Sequence, residues 1–266
     1  MPRSTFYYQR KVALAGDRDA ELKSRISASY HGHRGRYGYR RITADIASTG
    51  PLVNKKAVQR VMAQLGLKSL VRPKKYKSYK GEIGEASDNH LQRKFSAEQP
   101  NEKWVTDVTE FKVAGEKLYL SPVMDLHNGE IIAYTMHTRP AFSLVTSMIT
   151  AALKTLPPGV APMIHSDQGW HYRMEGFRKT LRQNGMKQSM SAKGCCYDNA
   201  AMESFFGVLK TEYFYLNKFS SVDELRAGID EYIHYYNNDR IKKKLGWLSP
   251  VQYRTRHANR SQVLSN

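Results

Sequence analysis

Three acidic side chains stand out against apolar surroundings. Asp107 interrupts the run WVTDVTEF, Asp167 ends the apolar part of IHSDQGWHY just before Gly169, and Glu203 lies early in the helical pattern GCCYDNAAMESFFGVLK. A carboxylate in such a setting is costly to bury unless a cation or hydrogen-bond donors meet it. The two aspartates are 60 positions apart and Glu203 follows Asp167 by 36, so only the fold can gather them. Converging carboxylates repel one another and stay ionised together around a hard divalent cation, for which Mg²⁺ is the natural guest. Such a centre activates a water or a 3′-hydroxyl and stabilises the leaving oxygen of a phosphodiester during in-line displacement. Lys210 follows Glu203 by seven positions, nearly two helical turns, which puts its ammonium on the same helix face, suited to a DNA phosphate.

The elements that must position these groups are legible from periodicity. KWVTDVTEF, KLYLSPVMDL and EIIAYTMHT are expected as three antiparallel strands, with Asp107 inside the first and His127-Asn128-Gly129 turning between the last two. AFSLVTSMITAALKTL is a helical pattern, APMIHSD a fourth strand, MEGFRKTLRQNG a helix closed by Gly185, KQSMS a fifth strand, and 199–213 a closing helix. This order predicts a mixed α/β sheet flanked by helices, in which the first and fourth strands can lie side by side and unite Asp107 with Asp167. SVDELRAGIDEYIHYYNNDR opens with a Ser-x-x-Glu capping box and turns Leu225, Ile229, Tyr232 and Ile233 inward. Beyond it DRIKKKLGWLSP is basic, and phosphate contact through Arg240 and Lys242 and plain solubilisation are both open.

Charge points to the partner. The chain of 266 residues carries 42 Lys and Arg against 24 Asp and Glu, net +18; residues 1–94 hold 21 basic and 7 acidic side chains, net +14, leaving +4 for the rest. A polyanion is the expected partner, and the N-terminal third is the electrostatic handle; with the helix-turn-helix reading below, double-stranded DNA is the expected one. There ELKSRISASY suits a helix, RITADIAS a second one broken at Thr49-Gly50-Pro51, and Asn54 caps KKAVQRVMAQLGL, with Val58, Val61, Met62 and Leu65 as one stripe and Gly66 as its stop. Helix, short turn, helix is the helix-turn-helix arrangement, and Lys55, Lys56, Gln59 and Arg60 form the polar side of its second helix. RPKKYKSYK adds Lys74 and Lys75 among tyrosines, and Lys193, ahead of the Glu203 helix, completes the expected DNA contacts. The division expected is an all-α helix-turn-helix region over 1–75, a linker over 76–100, a catalytic core over 101–230 and a C-terminal helix with basic tail over 231–266. Cys195 and Cys196 are adjacent and read as free thiols, no apolar run reaches membrane-spanning length, and the N-terminus has no signal-peptide pattern, so a cytoplasmic protein is expected.

Other acidic and imidazole groups have plainer uses. Asp125, beside a turn, is suited to bond the hairpin backbone, Asp198 to cap the following helix, His165 to pack behind the site, and His171 to lie near DNA at most. A zinc site is not indicated, because zinc wants closely spaced His and Cys partners. A tyrosine recombinase has only Arg240 near Tyr235 and Tyr236 to support it. Two readings stay open on the residues alone: a helix-turn-helix repressor without catalysis, and a nuclease of the same fold that cuts without joining.

WVTDVTEF, IHSDQGWHY and KGCCYDNAAMESFFGVLKTE resemble the three acidic blocks of the DDE transposases and retroviral-type integrases, with 35 residues between the second Asp and the Glu. YYNNDRIKKKLGWLSPVQY and YGYRRITADIASTGPLVNKKAVQRVM are similar to the C-terminal signature and the helix-turn-helix block of second-frame (OrfB-type) transposases of bacterial insertion sequences. In that signature Ile241 and Lys242 replace the usual continuation, and Trp170 stands where a smaller or polar residue is more usual. The resemblance implies an RNase H-like core in which Asp107, Asp167 and Glu203 bind a pair of Mg²⁺ or Mn²⁺ ions, 3′-end nicking of the element and strand transfer without a covalent protein–DNA intermediate, and Lys210 as the basic residue of the Glu helix. It further implies a homo-oligomer on DNA and a first-frame product as partner, MPRSTFYY being similar to the middle of a longer N-terminal region.

Overall fold

A computed structural model describes residues 2–14, 17–71, 88–91, 95–191 and 199–264, in two units that divide after Arg72.

The N-terminal unit is helical: α1 (Arg3–Leu14), α2 (Ala20–Gly32), α3 (Tyr39–Ser48) and α4 (Lys55–Gln64). Ile26 and Tyr30 of α2, Ile42 and Ile46 of α3, and Val58, Val61 and Met62 of α4 are buried, each pair at the i, i+3 or i, i+4 spacing that makes one helix face. Asn54 starts α4 by accepting a hydrogen bond from the Lys56 amide at 2.9 Å, and Gly66, at φ +68°, ends it in the left-handed conformation that favours glycine. Arg25 of α2 donates to Ile46 O at 2.5 Å and to Pro51 O at 3.4 Å, which satisfies carbonyls at the end of α3 and pins the turn. Two expectations change here. The sequence pattern does not predict α1, since RSTFYYQRKVAL has little apolar periodicity; and Leu65 lies past the last turn of α4 with 36% exposure, outside the stripe.

The second unit is built on one mixed sheet. Its strands are β1 (Lys103–Thr106), β2 (Thr109–Val113), β3 (Glu116–Asp125), β4 (Glu130–His137), β5 (Met163–Ser166) and β6 (Gln188–Met190). Along the sheet the order is β2-β3-β1-β5-β6, with β4 on the other side of β3. β3 pairs antiparallel with β1, β2 and β4, whereas β1, β5 and β6 run parallel. The expected first strand is thus two strands. They keep one register along β3, Thr106 opposite Val123 and Thr109 opposite Leu120, but the break at Asp107 falls opposite Pro122, which has no N–H for the ladder. Asp107 therefore stands at a strand end and not within one; its Oδ1 accepts the Val108 amide at 2.7 Å instead.

Alternation along β1 and β5 divides the core in two. Trp104 and Ile164 face a layer with α5 (Phe142–Leu153), the short α6 (Trp170–Arg173) and α7 (Glu175–Gln183). Val105, Phe111, Leu118 and Leu120 face α8 (Ala200–Glu212) and α9 (Val222–Asn238). α9 buries Leu225, Ile229, Tyr232 and Ile233 as its pattern predicts, each worth roughly 1.5–3 kcal/mol. Its cap is a variant of the expected box: Ser221 Oγ accepts from the Glu224 amide at 3.1 Å, but Glu224 reaches back to Ser220. Part of the expected linker belongs to this unit, since Leu91 is buried in its core and the His90 and Leu91 amides donate to Ser189 Oγ. α10 (Pro250–Leu264), also unanticipated, begins with proline in the first helical turn, where its missing N–H costs nothing.

Candidate active site

Register brings the aspartates together. β1 and β5 are parallel neighbours with Val105 opposite His165, so Asp107 and Asp167, each two positions further on, leave the same end of the sheet on the same face. That face is the one covered by α8, which carries Glu203 in its first turn. The carboxyl-terminal end of adjacent parallel strands is where open α/β sheets gather ligands.

The electrostatics follow from that crowding. Burial, then the charge of Asp167, and also that of Glu203, push the Asp107 carboxyl well up, against the Val108 amide and the Lys210 ammonium. Asp167 is also raised by burial, against the hydrogen bond that its Oδ1 accepts from the Gly169 amide at 2.8 Å. Two carboxyls raised by burial, and Asp107 also by its acidic neighbours, are a site short of positive charge. Among the described residues no group of three or more His, Cys, Asp or Glu side chains stands close enough to hold a metal ion as it is; the carboxylates that bear on Asp107 offer hard oxygen donors, the type that suits Mg²⁺ or Mn²⁺. Lys210 is half-buried, its Nζ 5.3 Å from the Phe111 ring centre. Burial lowers its pKa, while Asp107 and Glu110 favour its charge.

Supporting residues sort themselves by contact. His165 is fully buried, its ring nitrogens 2.9 and 3.1 Å from Ser189 Oγ and Ser191 Oγ, a packing role behind the site. His171 is buried as well, 7% exposed, bonded to Pro140 O at 3.1 Å and stacked against Trp170, so it is no surface contact. Asp125 behaves as a turn residue: its Oδ1 accepts from the His127 amide, and its Oδ2 from the Asn101 amide and from Arg254. No sequence motif marks Tyr172 as part of the site. Its phenol is driven well up by burial and by the charges of Asp107 and Asp167, which lie near it, and no spacing rule distinguishes it from the sixteen other tyrosines.

The expected DNA contacts divide into three groups. Lys55, Lys56 and Gln59 are exposed on α4; Arg60, also exposed, pairs with Asp19 at 2.8 Å. Lys74, Lys75 and Lys193, together with Cys195, Cys196 and Asp198, lie outside the described residues. Arg240 and Lys242 are corrections. Arg240, 5% exposed, makes two bonds of 2.7 and 2.8 Å to buried Glu212, and Lys242, 9% exposed, donates to Gly129 O and Tyr236 Oη. Their charges are consumed inside the fold, where a phosphate cannot reach them.

Comparison with known proteins agrees with this architecture. Two models described as integrase core domain match residues 97–196 and 203–257, and one described as HTH-like domain matches 17–75. The putative transposase InsK for insertion sequence element IS150 from Escherichia coli (strain K12) is 53% identical over 254 residues, 96% of this chain and 90% of that protein. An uncharacterized transposase-like protein of Haemophilus influenzae is 55% identical over 207 residues, 78% of this chain and 95% of that protein. The probable transposase for IS1353 of Shigella flexneri is 40% identical over 257 residues, 96% of this chain and 50% of a longer protein. With a sheet of this topology, a helix-turn-helix unit and relatives of this identity over nearly its whole length, the chain belongs to the insertion-sequence transposases with an integrase core domain.

Proposed function

We propose that this transposase nicks the 3′ ends of its element and joins them to target DNA at a centre formed by Asp107, Asp167 and Glu203. The observation that carries this reading is the shared end of β1 and β5, where Asp107 feels both other acids. When bound there, a pair of Mg²⁺ or Mn²⁺ ions supplies charge neutralisation for the attacking and leaving oxygens. The protein's own part is to present carboxylate oxygens on a rigid sheet end, with the Asp107 and Asp167 carboxyls each oriented by one backbone amide. Lys210 is suited to hold a phosphate of the DNA strand beside them: burial lowers its pKa, and the charges of Asp107 and Glu110 favour its ammonium against that. In each step one P–O bond forms to water or a 3′-oxygen and one breaks toward the leaving 3′-oxygen, with no protein nucleophile.

The partners follow from the same reading: the element's ends and target duplex as ligands, α4 with Lys55, Lys56, Gln59 and Arg60 as a groove- or phosphate-facing helix, further copies of the chain in the DNA complex, and a first-frame product of the element. The decisive measurement is divalent-metal-dependent cleavage of a labelled element-end fragment, followed by joining when a 3′-OH donor end is supplied. Asp107→Asn, Asp167→Asn and Glu203→Gln are each expected to lose at least ~10³-fold in both steps while DNA binding stays within about twofold. Retained cleavage by these variants discards the triad, and cleavage without joined product by the unchanged protein, its first-frame partner present, favours a plain nuclease.

A further inference from the structure

Thr106 immediately precedes Asp107, and three acid-bearing segments meet at it. Its Oγ1 lies 3.4 Å from the hydroxyl of Tyr172, five positions after Asp167. Its backbone carbonyl accepts at 3.1 Å from Asn199 Nδ2, four positions before Glu203. Thr106 is 0%, Tyr172 1% and Asn199 4% exposed, so none of these bonds competes with bulk water.

Asn199 is the informative member. Only its amide nitrogen can donate to a carbonyl, which fixes the orientation of the group by chemistry. Its Oδ1 is then left buried and, among the described residues, without a partner. Nor does its side chain cap α8, the usual task of asparagine at a helix start. An unmet buried acceptor is costly, so the residue serves neither its own hydrogen bonding nor the helix; what remains is the bond to Thr106. Strand alternation explains why Thr106 can take both bonds: its side chain faces the layer that holds Tyr172, while its carbonyl meets the start of α8.

Resting on the triad reading above, we propose that Thr106 is a joint, and that Asn199 and Tyr172 are positioning residues that set the separation of the three carboxylates through it. Neither touches the reacting atoms. Each ties the last residue of β1 to a segment bearing another acid, so loss of one bond lets one carboxylate drift relative to Asp107. Cation sites tolerate drifts of only a few tenths of an ångström, and removing the partners that orient ligands lowers metal affinity by roughly 10- to 100-fold.

The test is Mn²⁺ titration of the full chain without DNA, read by the paramagnetic signal of free Mn²⁺, alongside thermal melting. Asn199→Ala, Tyr172→Phe and the isosteric Thr106→Val are each expected to weaken Mn²⁺ binding by roughly tenfold or more. Thr106→Ser, which keeps the hydroxyl, is expected to stay within about twofold, and Thr106→Val with Tyr172→Phe to be no worse than either alone, because both remove one bond. Folded Tyr172→Phe and Thr106→Val proteins that bind Mn²⁺ like the unchanged chain overturn the joint while leaving the triad intact. Absence of Mn²⁺ binding by the unchanged chain, or equal binding by Asp107→Asn, overturns the triad and the joint with it.

Discussion

At the scale of single residues, environment assigns opposite tasks to side chains of the same type. Arg240 and Lys210 are both cations in the same unit. Arg240 is spent on Glu212, which also accepts from Tyr232 at 2.9 Å, so a buried cation, anion and phenol satisfy one another. Among the described residues Lys210 has no comparable bidentate acid, and the charges of Asp107 and Glu110 act on its ammonium against burial. Removing one partner of a buried pair leaves the other charge stranded, at about 3–5 kcal/mol. Arg240→Met is therefore expected to lower the unfolding free energy of the chain by about 3–5 kcal/mol, measured by urea titration. A change below ~1 kcal/mol with weaker DNA binding would restore the phosphate-contact role that the structure takes from Arg240.

Among the elements, α8 and α9 pack on the same face of the sheet, and α8 carries Glu203. Gly228 of α9 makes room for Tyr213, which follows α8: a Cβ there would lie 1.5 Å from Tyr213 Oη, so the tyrosine side chain or the helix must shift. Tyr213 in turn packs against Tyr232, ring centres 5.7 Å apart. Gly228→Ala is expected to cost about 1–3 kcal/mol through overpacking, seen as a lower melting temperature, and to reduce strand cleavage through displacement of α8. Unchanged melting would mean that Tyr213 swings aside freely. The helix-turn-helix has its own version of this constraint, since a Cβ at Gly50 would lie 2.6 Å from the Arg25 guanidinium that pins the turn.

For the whole molecule, charge and stability are distributed unequally. The net +14 of residues 1–94 makes the N-terminal third attractive to a polyanion and also self-repelling. Asp45 offsets part of that repulsion from within. Burial pushes its carboxyl up, but the hydrogen bonds from His33 and Ser29 and the charge of His33 outweigh it, so it titrates below the usual carboxylate range. A carboxyl lowered on folding contributes stability that is complete above its unfolded pKa near ~3.9 and is lost as pH falls through the folded value. Melting of the chain from pH 6 toward pH 3 is expected to show the helical unit weakening below about pH 4, and Asp45→Asn is expected to lower its stability at pH 6 and flatten that dependence. An equally steep acid loss in Asp45→Asn would assign the effect elsewhere. Among the described residues no helix is long and apolar enough to cross a membrane.

Local chemistry determined much of this by sequence alone. Asn54 and Gly66 bounded α4, the Ser-x-x-Glu box opened α9, and alternation in the strands predicted a mixed sheet, because caps, turns and side-chain periods depend on neighbours a few positions away. Spacing also singled out Asp107, Asp167 and Glu203 as candidates. Tertiary structure decided what no neighbour specifies: that Pro122 opposite Asp107 splits a strand, that Arg240 and Lys242 are consumed in the core, and that Tyr172 and Asn199 meet at Thr106, next to Asp107. These are contacts between residues up to 113 positions apart, and whether a charge faces water or a buried partner is a property of the packed molecule, not of the residue that carries it.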